Sequence, residues 1–129
     1  MNISHLAKVE LHLHLEGAAP PAFIRQLAYE KKVDIGGIFA PDGRYAFGGF
    51  TEFLAVYETA TQVLQSPEDF HRLTLAVLAE CAANDVIYVE SFLSPEFCGG
   101  GDLSAWREYF QAIREACLLY TSDAADEGL

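Results

Sequence analysis

KVELHLHLEG, residues 8–17, is the stretch on which the reading of this chain turns. Apolar and polar residues alternate through it, with Val9, Leu11, Leu13 and Leu15 on one side and Glu10, His12 and His14 on the other. A period of two is that of a β-strand, and the apolar side is expected to be packed. His12 and His14 then project in one direction, and Glu16 follows them if the extended backbone persists. Gly17 and the stretch from Ala18 to Pro21 end the strand. Two imidazoles at i and i+2, near the C-terminal end of a strand, suit a divalent metal, zinc first. The same pattern also fits two polar residues on the wet face of an amphipathic strand, and spacing alone leaves both readings open. A third ligand has to come from elsewhere, because a strand offers only neighbouring positions.

Outward from this strand, Pro20-Pro21 opens a helix whose apolar side is Phe23, Ile24, Leu27 and Ala28. Residues 34–49, with their glycines and Pro41, read as loop. A second helix is expected from about Thr51 to Leu64. Ser66-Pro67-Glu68-Asp69 is a helix start: a hydroxyl N-cap, a proline in the first turn and two acids beside it. The helix it opens presents Phe70, Leu73, Val77, Leu78 and Cys81 to the core. VIYVESF, residues 86–92, is β-branched and aromatic and reads as a second strand. Ser94-Pro95 closes it, Gly99 to Gly101 form a turn, and Asp102 caps a last helix. Strand, helices, strand and helix in this order argue for a parallel sheet with helical crossovers. Two strands make no stable sheet alone, and a (β/α)₈ barrel takes about 250 residues. The 129 residues therefore read as an α/β fold, and the N-terminal portion of a TIM barrel agrees with this order and length.

Eight Lys and Arg against nineteen Asp and Glu leave a formal net charge of −11. A surface this acidic repels phosphate backbones and anionic lipid, which makes nucleic acid and membrane surfaces poor partners. No run approaches the roughly 18 apolar residues of a membrane span. The opening, MNISHLAKVE, has no signal-peptide pattern, so the expected location is the cytoplasm. Cys81, Cys98 and Cys117 are an odd set without a pairing pattern, which suits reduced thiols.

KVELHLHLEGA, followed by PPAFIRQLA, resembles the opening of the adenosine deaminase family within the metal-dependent amidohydrolases. FTEFLAVYE at 50–58, PEDFHRLTLAVLAECAANDVIYVESFLSPEF at 67–97 and the glycine run after it resemble later stretches of that family in the same order. The resemblance spans residues 5–116 and is stronger to bacterial members than to animal ones.

The resemblance implies a barrel of the metal-dependent hydrolase type, in which His12 and His14 match the first two zinc ligands. His14, Glu16 and Gly17 stand at the substrate, Glu16 where the family has an acidic contact that is commonly Asp. Phe50, Phe53 and Leu54 fall on a helix that in the family forms part of an apolar lid over the purine; ordinary core packing is the competing reading for each. Glu90 and Ser94-Pro95 match the second strand and its exit, with a structural role. The activity implied is zinc-dependent hydrolytic deamination of adenosine to inosine and ammonia, in purine salvage. Adenine or another aminopurine is the alternative, because Glu16 is one methylene longer than Asp. A purine nucleoside or base is thus the expected small-molecule partner.

The family's later His and Asp, which complete the metal shell, and the Glu and His that move protons have no counterpart among these residues. They are expected downstream, and the chain as written is expected to be a catalytically inactive fragment. The rival reading from another class is a non-enzymatic binding module. No PCxxC string occurs, so the His/Cys/Cys type of deaminase is not indicated. Residues 117–129, CLLYTSDAADEGL, leave the helical period of the preceding segment and resemble a translated sequencing-library adapter. They are expected to be a non-native tail, which makes residues 1–116 the N-terminal part of the barrel domain.

Overall fold

The computed structural model describes residues 2–126. Strand β1 (Lys8–His14) is followed by helices α1 (Pro21–Lys31), α2 (Phe50–Thr61) and α3 (Pro67–Ala83), strand β2 (Val86–Phe92) and helix α4 (Leu103–Asp126). Single 3₁₀ turns lie at Glu16–Ala18, Gly36–Ile38 and Pro95–Phe97. β1 and β2 pair in parallel, with Val9 opposite Tyr88 and His14 opposite Phe92. A parallel pair requires a crossover, and α1 to α3 supply it.

The register of β1 against β2 shifts twice, between Lys8 and Val9 and between Glu10 and Leu13, and the second shift breaks the strict alternation expected of β1. Glu10 is paired with Val89 but Leu13 with Ser91, so three steps along β1 match two along β2. An extra residue in one strand is a bulge, and it exchanges the faces on either side of it. Glu10 consequently lines a groove with Leu13, Val77 and Cys81 on the α3 side and leaves the face that His12 and His14 occupy. The expected packed row is divided likewise: Leu15 is buried and Leu13 half-buried, whereas Val9 and Leu11 are 54% and 57% exposed. Ile87 and Tyr88 of β2 are exposed too. Among the described residues the sheet has two strands, so each keeps an open edge.

The core lies between the helices and the exit of β1. Leu15, Ile24, Leu27, Val63, Phe70, Leu73 and Val77 form one buried cluster. α3 begins where its signal predicts, and the Ser66 hydroxyl accepts from the Asp69 N–H at 3.2 Å. Asp69 is buried, accepts from the Gln65 N–H at 2.9 Å and forms an ion pair with Lys31, which fastens α1 to α3. Arg72 and Glu30 add a two-pronged pair between the same helices, at 3.0 and 2.8 Å. Phe70 meets Tyr109 of α4 edge to face at 5.3 Å.

α2 ends at Thr61, short of the expected Leu64, and Val63 and Leu64 bury themselves from the turn that follows. α4 begins behind Asp102, whose carboxylate accepts from the Ala105 N–H at 3.0 Å. It continues through Ala116 to Asp126, so the expected loss of helical character at residue 117 does not occur. Cys117, Tyr120 and Thr121 carry an apolar-to-neutral stripe at helical spacing into a groove with Leu78, Ala82 and Ile87. Residues 127–129 of the expected tail lie outside the described residues. Among the described residues no helix is long and apolar enough to cross a membrane.

The loop between α1 and α2 is pinned where it meets the end of β1. Phe39 and Tyr45 form a bridge and stack at 5.7 Å, and the Tyr45 hydroxyl donates to the Ala19 carbonyl at 2.8 Å. Arg25 donates to the Gly43 carbonyl at 2.7 Å and lies over the Phe39 ring. Burial pushes the Tyr45 phenol up to about 12, against a smaller opposing pull from Arg25. The folded state thus holds this proton more tightly than the unfolded chain, where tyrosine titrates near its ordinary value of about 10. The stabilisation is complete below about pH 10 and is lost as pH rises toward about 12. Urea titrations at pH 8 to 12 check this: the midpoint should fall above about pH 10, and Tyr45→Phe should flatten that fall.

Candidate active site

His12 and His14 stand on one face of β1, their ring centroids 5.1 Å apart. Phe92, their neighbour on β2, lies 4.2 Å from the His12 ring and 5.9 Å from that of His14. Both histidines are exposed. Two imidazoles so arranged offer half of a tetrahedral donor set. Among the described residues no group of three or more His, Cys, Asp or Glu could hold a metal ion. The donor chemistry fits zinc, and the donor number requires further ligands.

Extended backbone does not persist to Glu16. Leu15 adopts helical angles, φ −58° and ψ −50°, and the chain enters the turn Glu16–Ala18. The turn carries the Glu16 side chain off the line of the strand and into the protein, where it is 3% exposed. Its Oε1 accepts from the Tyr57 hydroxyl at 2.7 Å and from the Ser94 hydroxyl at 2.8 Å. Oε2 is buried without a partner among the described residues. Glu16 thereby ties together the exit of β1, helix α2 and the exit of β2.

The surroundings act on the neighbouring acids in turn. Burial raises the Tyr57 phenol well above its usual range, and the hydrogen bond to Glu16 with that group's charge adds to the effect. Tyr57 therefore remains an O–H donor. Burial, with the Glu16 charge, pushes the Cys98 thiol up to about 11. A thiol so disposed is a poor nucleophile.

Beside His14 lies an open cleft of about 410 Å³, lined among others by Gly17, Phe53, Leu54 and Tyr57. A smaller space of about 40 Å³ lies against Glu16, walled by Tyr45, Phe47, Phe53 and Tyr57. Phe53 and Leu54 thus line this cleft. Phe50, at 75% exposure, points away from it and stacks at 6.4 Å on Phe53. Tyr57 and Phe92 were given no site role in the sequence, and Ser94 only a structural one. Tyr57 is one helical turn beyond Phe53 and reads as one more core aromatic, while Ser94 reads as a strand terminator. Only the buried carboxylate between them gives their hydroxyls a task.

His12 and His14 stand at the C-terminal end of a parallel strand, beside a cleft lined by the turn after β1 and by α2, and this is the end of a barrel at which active sites lie. The model of the adenosine deaminase family matches residues 7–124, and the chain belongs to that family. It is 44% identical over 93 residues to the adenine deaminase of Agrobacterium fabrum, covering 72% of this chain and 28% of that protein. The crystal structure of adenine deaminase from Arthrobacter aurescens superposes with a TM-score of 0.69 at 26% identity, over 90% of this chain and 36% of that one. The N6-methyl-AMP deaminase of Arabidopsis thaliana shares the fold, with a TM-score of 0.65 at 20% identity over 89% of this chain and 34% of that one. The fold is the first part of a (β/α)₈ barrel, and the chain spans 28% of the length of the Agrobacterium relative.

Gly17 is the close-approach position of this site. A Cβ there would stand 2.9 Å from Cε2 of Tyr57, a ring that its bond to Glu16 keeps from swinging aside. Gly17→Ala should destabilise the chain by about 1–3 kcal/mol, the usual cost of overpacking. Urea unfolding measures the loss, and in a Tyr57→Ala background most of it should vanish.

Proposed function

We propose that this chain provides one part of the active site of a zinc-dependent aminopurine deaminase, with adenine as the substrate. Adenosine, the first expectation from the sequence, gives way to the free base because the 44%-identical relative is an adenine deaminase. The observation that carries the reading is Glu16. Its carboxylate is enclosed with Tyr57 and Ser94, against a space that shares Gly17, Phe53 and Tyr57 with the cleft beside His14, where a flat heterocycle can meet it.

In this reading His12 and His14 hold zinc from one side, and the remaining ligands come from barrel strands beyond these residues. Zinc, when bound, supplies a Lewis acid and lowers the pKa of water toward about 7, which suits attack on an aminopurine ring. Phe92 backs the imidazoles and limits their rotation, because it contacts both rings. Phe53 and Leu54 give the cleft apolar walls that exclude water from the face of a flat heterocycle. Glu16 and Gly17 border the substrate, with Glu16 as a hydrogen-bond acceptor. The protons of the reaction are moved by groups outside this chain. Reduced thiols and the acidic surface suit a cytoplasmic setting.

The proposal is tested in a full-length barrel, made by placing these residues in the matching segment of the Agrobacterium fabrum adenine deaminase. Zinc analysis and ammonia release are measured with adenine and with adenosine. Turnover of adenine in preference to adenosine is the expected result. His12→Ala should lose zinc and lower kcat/KM by at least about a hundredfold. Zinc content and rate at parental levels in that variant would sink the ligand assignment, and turnover of adenosine alone would sink the substrate.

A further inference from the structure

We infer that Tyr57 is a positioning residue: with Ser94 it holds one oxygen of Glu16 and so presents the other to a ring N–H of the substrate. The inference rests on the aminopurine reading above and names the atom by which the free base is selected. Tyr57 Oη and Ser94 Oγ both donate to Oε1, at 2.7 and 2.8 Å. Oε2 is left buried and without a partner among the described residues. A buried acceptor without a donor is costly, so the arrangement is complete only when a donor arrives.

The two hydroxyls come from separate elements, α2 and the exit of β2, and they converge on one atom. The carboxylate cannot turn Oε2 toward water without breaking both bonds. Tyr57 can approach because Gly17 has no Cβ, and the raised phenol keeps its proton for donation. Gly17, Phe53 and Tyr57 line both the small space against Glu16 and the cleft beside His14, so the two are neighbours. Phe53, 37% exposed, is one of the side chains that stand between them. A free aminopurine carries an imidazole N–H, whereas a nucleoside carries its sugar on that nitrogen and cannot donate. A pinned acceptor therefore penalises the nucleoside by the bond left unmade.

The test uses the zinc-loaded full-length barrel described above, with adenine and with 9-methyladenine, whose alkylated nitrogen has no proton to give. The parent should favour adenine by about a hundredfold or more in kcat/KM. Tyr57→Phe keeps the ring and removes the donor. It should raise KM for adenine about tenfold with kcat little changed, the worth of one bond to a charged group. It should also narrow the preference over 9-methyladenine about tenfold, since a released carboxylate can turn to water when no donor is offered. Ser94→Ala should shift both readouts in the same direction, and Ser94→Thr, which keeps the hydroxyl, should restore them. If the parent deaminates adenine while Tyr57→Phe and Ser94→Ala leave KM and preference unchanged, the positioning role is overturned and the substrate reading stands. If Tyr57→Phe instead lowers kcat and zinc content together, its role is structural and the inference fails. A zinc-loaded parent that leaves adenine unchanged overturns both.

Discussion

The bonds from Tyr57 and Ser94 to Oε1 of Glu16 organise the end of this molecule at which the strands stop. They join three segments that are far apart in sequence, 41 residues in one case and 78 in the other. A carboxylate taken almost wholly out of water is expensive unless it is hydrogen-bonded. Burying Glu16 therefore obliges α2 and the β2 exit to bring donors to it. Around that constraint fall the turn after His14, the missing side chain at Gly17 and the row of aromatic rings running from Phe47 through Phe53 to Tyr57 and Phe97.

The two sides of the molecule answer to different forces. On the helix side, apolar burial dominates, reinforced by the Lys31–Asp69 and Arg72–Glu30 pairs that hold α1 against α3. On the strand side, Val9, Leu11, Ile87 and Tyr88 are left in water and the hydrogen-bonding edges are open. A parallel sheet is ordinarily covered on both faces. A complete barrel would cover such a face and edge with further strands and helices, and this chain spans 28% of the Agrobacterium relative. The pair of imidazoles is in the same position. Two imidazoles on one face are too few donors for a metal by themselves, and further ligands would have to come from other strands.

Much of this was legible in the sequence because it depends on local rules. The Ser66-Pro67 start and the Asp102 cap are set within a turn of the backbone, and β2 runs over the seven residues that its β-branched composition marks. His12 and His14 share a face because they are two apart in one strand, and the structure keeps them together. Glu10 was misplaced for an equally local reason that the sequence does not display: a bulge adds one residue and exchanges the faces behind it. Helix α4 runs past residue 116, where Cys117, Tyr120 and Thr121 border a groove against α3 and β2.

The sequence by itself determined the order of elements, the strand that carries both histidines and the family to which the chain belongs, since each is written in spacing and short motifs. The tertiary structure decided what Glu16 does. Its neighbour Leu15 leaves the extended conformation, which turns the carboxylate inward and away from the histidine row. Which hydroxyls it then meets depends on how α2 and the end of β2 pack against it. Contacts between segments 41 and 78 residues apart are settled by packing and by the cost of an unpaired buried charge, which no local pattern records.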